Sequence, residues 1–104
     1  MKKIVVYDRG ALKELKKFND SVRKDFVGLV ETLSTEGRLN FPEGKRINRE
    51  LFEIRVKRGG EYRSIYAYIF GDKIIILLFF QKKTQRTPLK IIKTSMQRLQ
   101  KYEI

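Results

Sequence analysis

Apolar positions change their period along this chain, and each change predicts an element. Ile4 to Tyr7 is a short β-branched run that predicts a first strand. Leu12, Leu15 and Phe18 then fall at helical spacing, with Lys13, Glu14, Lys16 and Lys17 between them. The polar cluster Asn19-Asp20-Ser21 predicts a break and a helix cap, because short polar side chains satisfy orphan amides. Val22, Phe26, Leu29 and Leu33 follow at intervals of four, three and four, a second amphipathic helix that stops near Gly37. Two adjoining helices of this kind are expected to pack as a hairpin on one sheet face. Asn40 to Asn48, with Pro42 and Gly44, reads as a loop.

From Leu51 the period becomes two. Phe52, Ile54 and Val56 point one way, and Glu53, Arg55 and Lys57 the other. Arg58-Gly59-Gly60 marks a turn. Tyr62 to Phe70 is a further strand, and Gly71-Asp72 a further turn. Lys73 to Gln81 is apolar on both parities, which predicts a central strand covered on both faces. After Pro88, which suits a first-turn position, Leu89, Ile92, Met96 and Leu99 form the stripe of a last helix packed on the sheet. Tyr102 extends that stripe. Strand, two helices, three hairpin-linked strands and a helix predict an α+β fold with a mainly antiparallel sheet, an N-terminal helical hairpin and a C-terminal helix. The 104 residues suit one domain, 1–104, with no repeat, linker or low-complexity segment.

Composition narrows the chemistry. There is no cysteine, which excludes disulfides, thiolate nucleophiles and zinc–thiolate sites, and no histidine, the commonest general base near neutral pH. A Ser-His-Asp arrangement is therefore impossible, and no glycine-rich phosphate loop or carboxylate–histidine metal set is present. The longest apolar stretch, Ile74 to Phe80, has seven residues, far short of the roughly 20 that span a bilayer. With no signal peptide legible at the start, a cytoplasmic protein without a membrane partner is expected. No cofactor or metal is expected either.

Charge adds direction. Residues 1–44 hold nine basic and seven acidic residues, whereas residues 45–104 hold fifteen and five. A surplus of +10 in one segment, out of +12 overall, points to a positive face and a polyanionic partner. Candidate chemistry then falls to Lys, Arg, Tyr, Glu and backbone groups. Arg55 and Lys57 share a parity with Glu53. Arg63 follows the first hairpin turn, and Lys82 and Lys83 lie where the last strand ends. In a meander these points converge at one end and one face, where arginine clamps phosphate in a two-pronged hydrogen bond and lysine supplies a compact charge. Arg63 shares its parity with Ile65, Ala67 and Ile69, so it borders an apolar face and needs a partner, Glu53 or a ligand. Tyr62, Tyr66, Tyr68 and Phe70 line the other parity. Tyr66 and Tyr68 are expected in the core, and Tyr62, next to the turn, accessible for stacking on a base.

The run LFEIRVKRGGEYRSIYAYIFGDKIIILLFFQKKTQRTP, followed by an amphipathic helix, resembles the RelE/ParE toxin superfamily of type II toxin–antitoxin systems, and most of all its phage-derived, HigB-like branch. The features that carry this are the Leu51-Phe52-Glu53-Ile54-Arg55 strand, the Tyr62-Arg63 strand, the strand ending Phe80-Gln81-Lys82-Lys83-Thr84-Gln85-Arg86-Thr87-Pro88, and the final helix. They cover about half the chain, from Leu51 to Tyr102, and the upstream elements fit the same order. The resemblance implies a compact microbial-ribonuclease-like fold and metal-independent endonucleolytic cleavage of mRNA, usually on the ribosome. The ribose 2′-hydroxyl attacks the adjacent phosphate, which needs a base, cations for the phosphorane charge and an acid for the leaving oxygen. By position, Arg55 and Arg63 match basic positions of the family site and Lys82 and Lys83 its strand-end pair. Glu53 and Lys57 are the alternatives for the base. Lys57, Arg58, Tyr62, Gln85 and Arg86 are the expected RNA contacts. Some relatives carry a tyrosine near the site in the final helix, where this chain has Leu89. The expected partners are mRNA, the ribosome and an antitoxin, typically a helix-turn-helix protein. Two alternatives stay open: the ParE-like branch of the superfamily implies a toxin that binds DNA gyrase, and the positive charge by itself would suit a non-catalytic RNA-binding protein.

Overall fold

A computed structural model describes residues 2–102; of the expected 1–104 domain, residues 1, 103 and 104 lie outside the described part. The elements are β1 (Ile4–Tyr7), α1 (Arg9–Lys16), α2 (Asp20–Glu36), β2 (Gly44–Arg46), β3 (Phe52–Lys57), β4 (Glu61–Ile69), β5 (Lys73–Lys82) and α3 (Leu89–Gln100). The strands form one sheet in the order β1-β5-β4-β3-β2. Its pairings are antiparallel except β1 with β5, which is parallel. The α+β class and mainly antiparallel sheet are as expected, as is a β5 that pairs on both edges.

Local chemistry sets the boundaries. Asp8 caps α1, its carboxylate accepting from the Gly10 amide at 2.8 Å. Asn19 caps α2 through Val22 at 3.0 Å, and Gly37 ends it in the left-handed conformation at φ 82°. The segment expected as a loop, Asn40 to Asn48, instead contributes β2, which pairs with Phe52–Ile54. Three residues, Gly-Lys-Arg, are too few and too polar to show a period; the backbone of β3 selects them. Pro88 stands just before α3 and not within its first turn. Its carbonyl accepts from the amides of Ile91 and Ile92 at 3.0 and 3.3 Å.

The sheet divides the core in two. Ile54, Val56, Tyr66, Ile74, Ile76 and Phe79 face the α1–α2 hairpin, where Val22, Phe26 and Leu33 meet them. Ile65, Ala67, Ile75, Leu77 and Leu78 face α3, with Leu51 and Leu99. A bulge explains the two adjacent leucines: Ile65 pairs with Leu78 and Tyr66 with Ile76, so Leu77 is left over and joins the α3 side. Each large side chain buried this way contributes about 2 kcal/mol.

Helix α3 packs its expected stripe on the sheet at Ile92, Met96, Leu99 and Tyr102 and departs from it at Leu89. Leu89 is 82% exposed, while Ser95 and Leu99 are buried and Ile91, Ile92, Met96 and Tyr102 half-buried. Ser95 fits inside because its hydroxyl donates to the Ile91 carbonyl at 2.8 Å. The far end of α3 is tied to α1 by ions. Arg98 donates twice to Glu14, at 2.9 and 3.0 Å, and once to the Leu77 carbonyl at 2.9 Å. Buried Asp8 accepts from the Tyr102 hydroxyl at 2.7 Å and from Lys101 at 3.0 Å. Gly10 makes this approach possible, since a Cβ there would lie 2.7 Å from the Arg98 guanidinium. Helix α3 therefore covers only part of its sheet face, and the rest of that face is polar.

Candidate active site

The polar part lies at the end of the sheet where β3 finishes, β4 begins and β5 finishes. Register places Arg55 opposite Arg63 and Arg63 opposite Phe80. The next row is Lys57, Glu61 and Lys82. With period two, these rows share the α3 side of the sheet, away from the helical hairpin.

Two arginines directly opposite each other repel. Carboxylates on the same face offset this. Arg55 Nε donates to Glu53 Oε1 at 2.8 Å, and Arg63 Nε lies 3.8 Å from the same oxygen. Arg63 Nη2 donates to Glu61 Oε1 at 2.7 Å. Glu53 and Arg63 are each only 3% exposed, whereas Glu61 is open to solvent. The Arg63 guanidinium holds the Glu61 carboxyl below its usual range, with Lys57 and Lys82 adding to the effect.

This buried charge cluster is incompletely satisfied. Among the described residues, Glu53 Oε2 and Arg63 Nε find no hydrogen-bond partner. Each unmade bond to a buried charged group costs on the order of 1–3 kcal/mol. Such a cost is tolerated where the arrangement serves binding or chemistry better than it serves stability. A cleft of about 590 Å³ opens over the cluster, lined by Arg55, Lys57, Glu61 and Arg63 and by Phe41, Pro42 and Glu43 of the segment before β2. A phosphate there would meet guanidinium donors fixed on strands, an arrangement able to stabilise developing negative charge.

The expected residues separate into two groups. Glu53, Arg55, Lys57, Arg63 and Lys82 share one face. Lys83 is exposed just beyond β5, and Gln85 and Arg86 lie in the exposed connection to α3, where Thr84 closes the turn by donating to the Arg86 carbonyl at 2.7 Å. Arg58 is turned away, donating to Asp25 of α2 at 2.7 and 3.2 Å. Those bonds raise the pKa of Arg58 and lower that of Asp25. Tyr62 is half-buried on the hairpin side, its ring 5.0 Å from that of Phe18, so it is not the open stacking surface expected. Its parity alone predicts this side; nearness to the turn does not free it. Tyr68 departs in the other direction: it is exposed, with its hydroxyl donating to the Gly37 carbonyl at 2.7 Å.

Two residues escaped the sequence reading. Glu61 shares Arg63's parity two positions upstream, a signal present in the pattern. Phe41 stands in an aperiodic segment and left none.

The chain's fold recurs in solved toxins. It matches a doubly substituted E. coli toxin RelE in the free state with a TM-score of 0.75 and 17% identity, covering 95% of this chain and 99% of that one. The isolated E. coli RelE toxin matches at 0.64 and 19%, covering 93% and 98%. The toxin–antitoxin complex RelBE2 from Mycobacterium tuberculosis matches at 0.60 and 22%, covering 79% and 100%. No curated protein sequence matches. The family model described as phage derived protein Gp49-like (DUF891) matches residues 13–100, which contain both sheet rows of the cleft and α3. By that match this chain belongs to the phage-derived Gp49-like family, with the fold of the RelE toxins.

Proposed function

We propose that this chain is the toxin of a type II toxin–antitoxin system and cleaves mRNA held on the ribosome. The observation that carries this reading is the cationic cleft: Arg55, Arg63, Lys57 and Lys82 on one rigid sheet face around the buried Glu53 carboxylate. Solved proteins of the same fold include RelE toxins and a toxin–antitoxin complex, which supports a toxin and an antitoxin partner here. Membership of the Gp49-like family fits the HigB-like branch, for which a helix-turn-helix antitoxin is the expected partner.

In the proposed reaction a base takes the proton of a ribose 2′-hydroxyl. The 2′-oxygen attacks the adjacent phosphorus, the bond from phosphorus to the 5′-oxygen breaks, and an acid protonates that oxygen. The products are a 2′,3′-cyclic phosphate and a 5′-hydroxyl. Arg63 and Arg55 take the charge of the phosphorane, and Lys82 or Lys83 serves the leaving oxygen. Lys57, exposed in the cleft, is the accessible candidate for the base; a lysine in this role must first lose its proton. Glu53, enclosed by two arginines, is the buried candidate and also holds those arginines in place. Ribosome-held RNA supplies the in-line geometry.

The test is expression in cells with mapping of RNA 5′ ends. New 5′-hydroxyl ends inside coding regions, absent with Arg63→Lys, are expected. Intact transcripts during full growth arrest would overturn the nuclease, and arrest with DNA damage would favour a gyrase-binding toxin instead. Comparing Lys57→Met with Glu53→Gln, each checked for folding, separates the two base candidates by which one stops cleavage.

A further inference from the structure

Phe41 is 72% exposed, unusual for a large apolar ring, and it divides two clefts. On one side is the cationic cleft, where the Arg55 guanidinium lies 5.5 Å from the Phe41 ring centroid. On the other is a cleft of about 360 Å³ lined by Phe41, Phe52 and Tyr68 and by Arg38, Lys45 and Arg46. Its aromatic wall is fixed. Phe52 stacks on buried Tyr66 at 5.5 Å and meets the edge of Tyr68 at 5.2 Å, and the Tyr68 hydroxyl is anchored on Gly37. Arg46 lies 5.3 Å from the Phe52 ring centroid.

Rigid aromatics interleaved with cations bind single-stranded nucleic acid: bases stack on rings while lysine and arginine follow the phosphates. An acidic peptide would also find cations here. Two features favour RNA: four aromatic rings line the cleft against one aliphatic side chain, Leu39, and Phe41 also borders the phosphate-sized cationic cleft on the other face of the sheet. We infer that this second cleft is a nucleotide subsite, in which Phe41 and the Phe52–Tyr68 wall hold a base of an RNA strand that rounds the sheet edge at Phe41 and lays its backbone in the cationic cleft. This deepens the proposed nuclease reading and rests on RNA being the ligand. It gives Phe41 a positioning role and leaves the reacting atoms to the neighbouring arginines and lysines.

The chain contains no tryptophan, so Phe41→Trp places a single indole reporter at the boundary. The full chain carrying this substitution is titrated with a 2′-O-methyl hexaribonucleotide, which cannot attack itself, and with the matched abasic strand. Quenching by the base-bearing strand and not by the abasic one is expected. Phe41→Ala in the otherwise unchanged chain is expected to bind the base-bearing strand about tenfold more weakly and the abasic strand equally well. Equal quenching by both strands, no quenching by either, or a Phe41→Ala variant that binds like the unsubstituted chain overturns the subsite. So does quenching by polyglutamate without quenching by RNA, which assigns the cleft to a protein. Intact cellular transcripts combined with base-dependent quenching would remove the nuclease and keep the subsite, so the two readings fail separately.

Discussion

At the scale of single residues, Arg63 has two duties that substitutions can separate. It is enclosed, paired with Glu61 at 2.7 Å, and it is the second counter-charge of Glu53, 3.8 Å from the oxygen that Arg55 binds at 2.8 Å. Arg63→Ala leaves that carboxylate under-compensated and is expected to cost about 3 kcal/mol, read as a lower melting temperature. Arg63→Lys keeps the charge and loses the planar fork. It is expected to melt near the unsubstituted chain and to cleave at least about 100-fold more slowly. Cleavage by Arg63→Lys at the ordinary rate would show that the fork plays no part in the reaction. Parity in the sequence already placed Arg63 beside Glu53. It did not show that Glu61 would be the stronger partner, because that choice depends on side-chain rotamers, which strand period does not encode.

At the scale of elements, two predictions concern helices. Gly28 sits in the middle of α2, exposed, with open space where a Cβ would be. Gly28→Ala is expected to stabilise the protein by about 0.5–1 kcal/mol, raising the melting temperature by a few degrees. An unchanged or lower value would mean that α2 needs the glycine for another contact.

The second prediction concerns the tie between α3 and α1. Burial pushes the Asp8 carboxyl upward, but hydrogen bonds from Tyr102, Lys101 and the Gly10 amide outweigh it and hold Asp8 below the usual carboxylate range. A depressed pKa adds stability above the unfolded value, near 4 for aspartate, and that stability is lost as pH falls through the folded value. The opposite end is set by Tyr102. Burial and its bond to Asp8 push it up to about 12. A raised pKa adds stability below the unfolded value, near 10 for tyrosine, and it is lost as pH rises toward the folded one. Melting followed against pH should therefore decline below about pH 4 and above about pH 10. Tyr102→Phe should abolish the Tyr102 share of the alkaline decline and cost about 1.5 kcal/mol at neutral pH. An identical alkaline limb in Tyr102→Phe would place its cause elsewhere. Side-chain period predicts a four-residue stripe on α3, yet Leu89 stands outside while Ser95 is inside. The ionic tie at Asp8, Glu14, Arg98 and Lys101 helps fix the helix's rotation about its axis, and no local period encodes a contact between residues so far apart.

At the scale of the whole molecule, charge is divided as the sequence divides it. The strands and α3 carry the surplus, and the hairpin is close to neutral. RNA binding is then expected to weaken steeply with salt, with a log–log slope of about −2 to −4 if three to five phosphates are neutralised. Arg55→Gln should make that slope shallower, whereas Lys13→Gln and Lys16→Gln on the exposed side of α1 should not. Equal effects from both sets would mean that RNA is held by overall charge and not by the cleft. The sequence by itself determined the order and type of nearly every element, because side-chain period and capping residues act within a few positions. It also determined the strand parity that brings Glu53, Arg55, Lys57 and Arg63 to one face. Tertiary structure alone decided what lies far apart in the chain. It recruited β2 from an apparent loop, paired β1 parallel to β5, turned Arg58 to Asp25, packed Tyr62 on Phe18 and stood Phe41 between two clefts. Each of these depends on a contact whose partner no local period can specify.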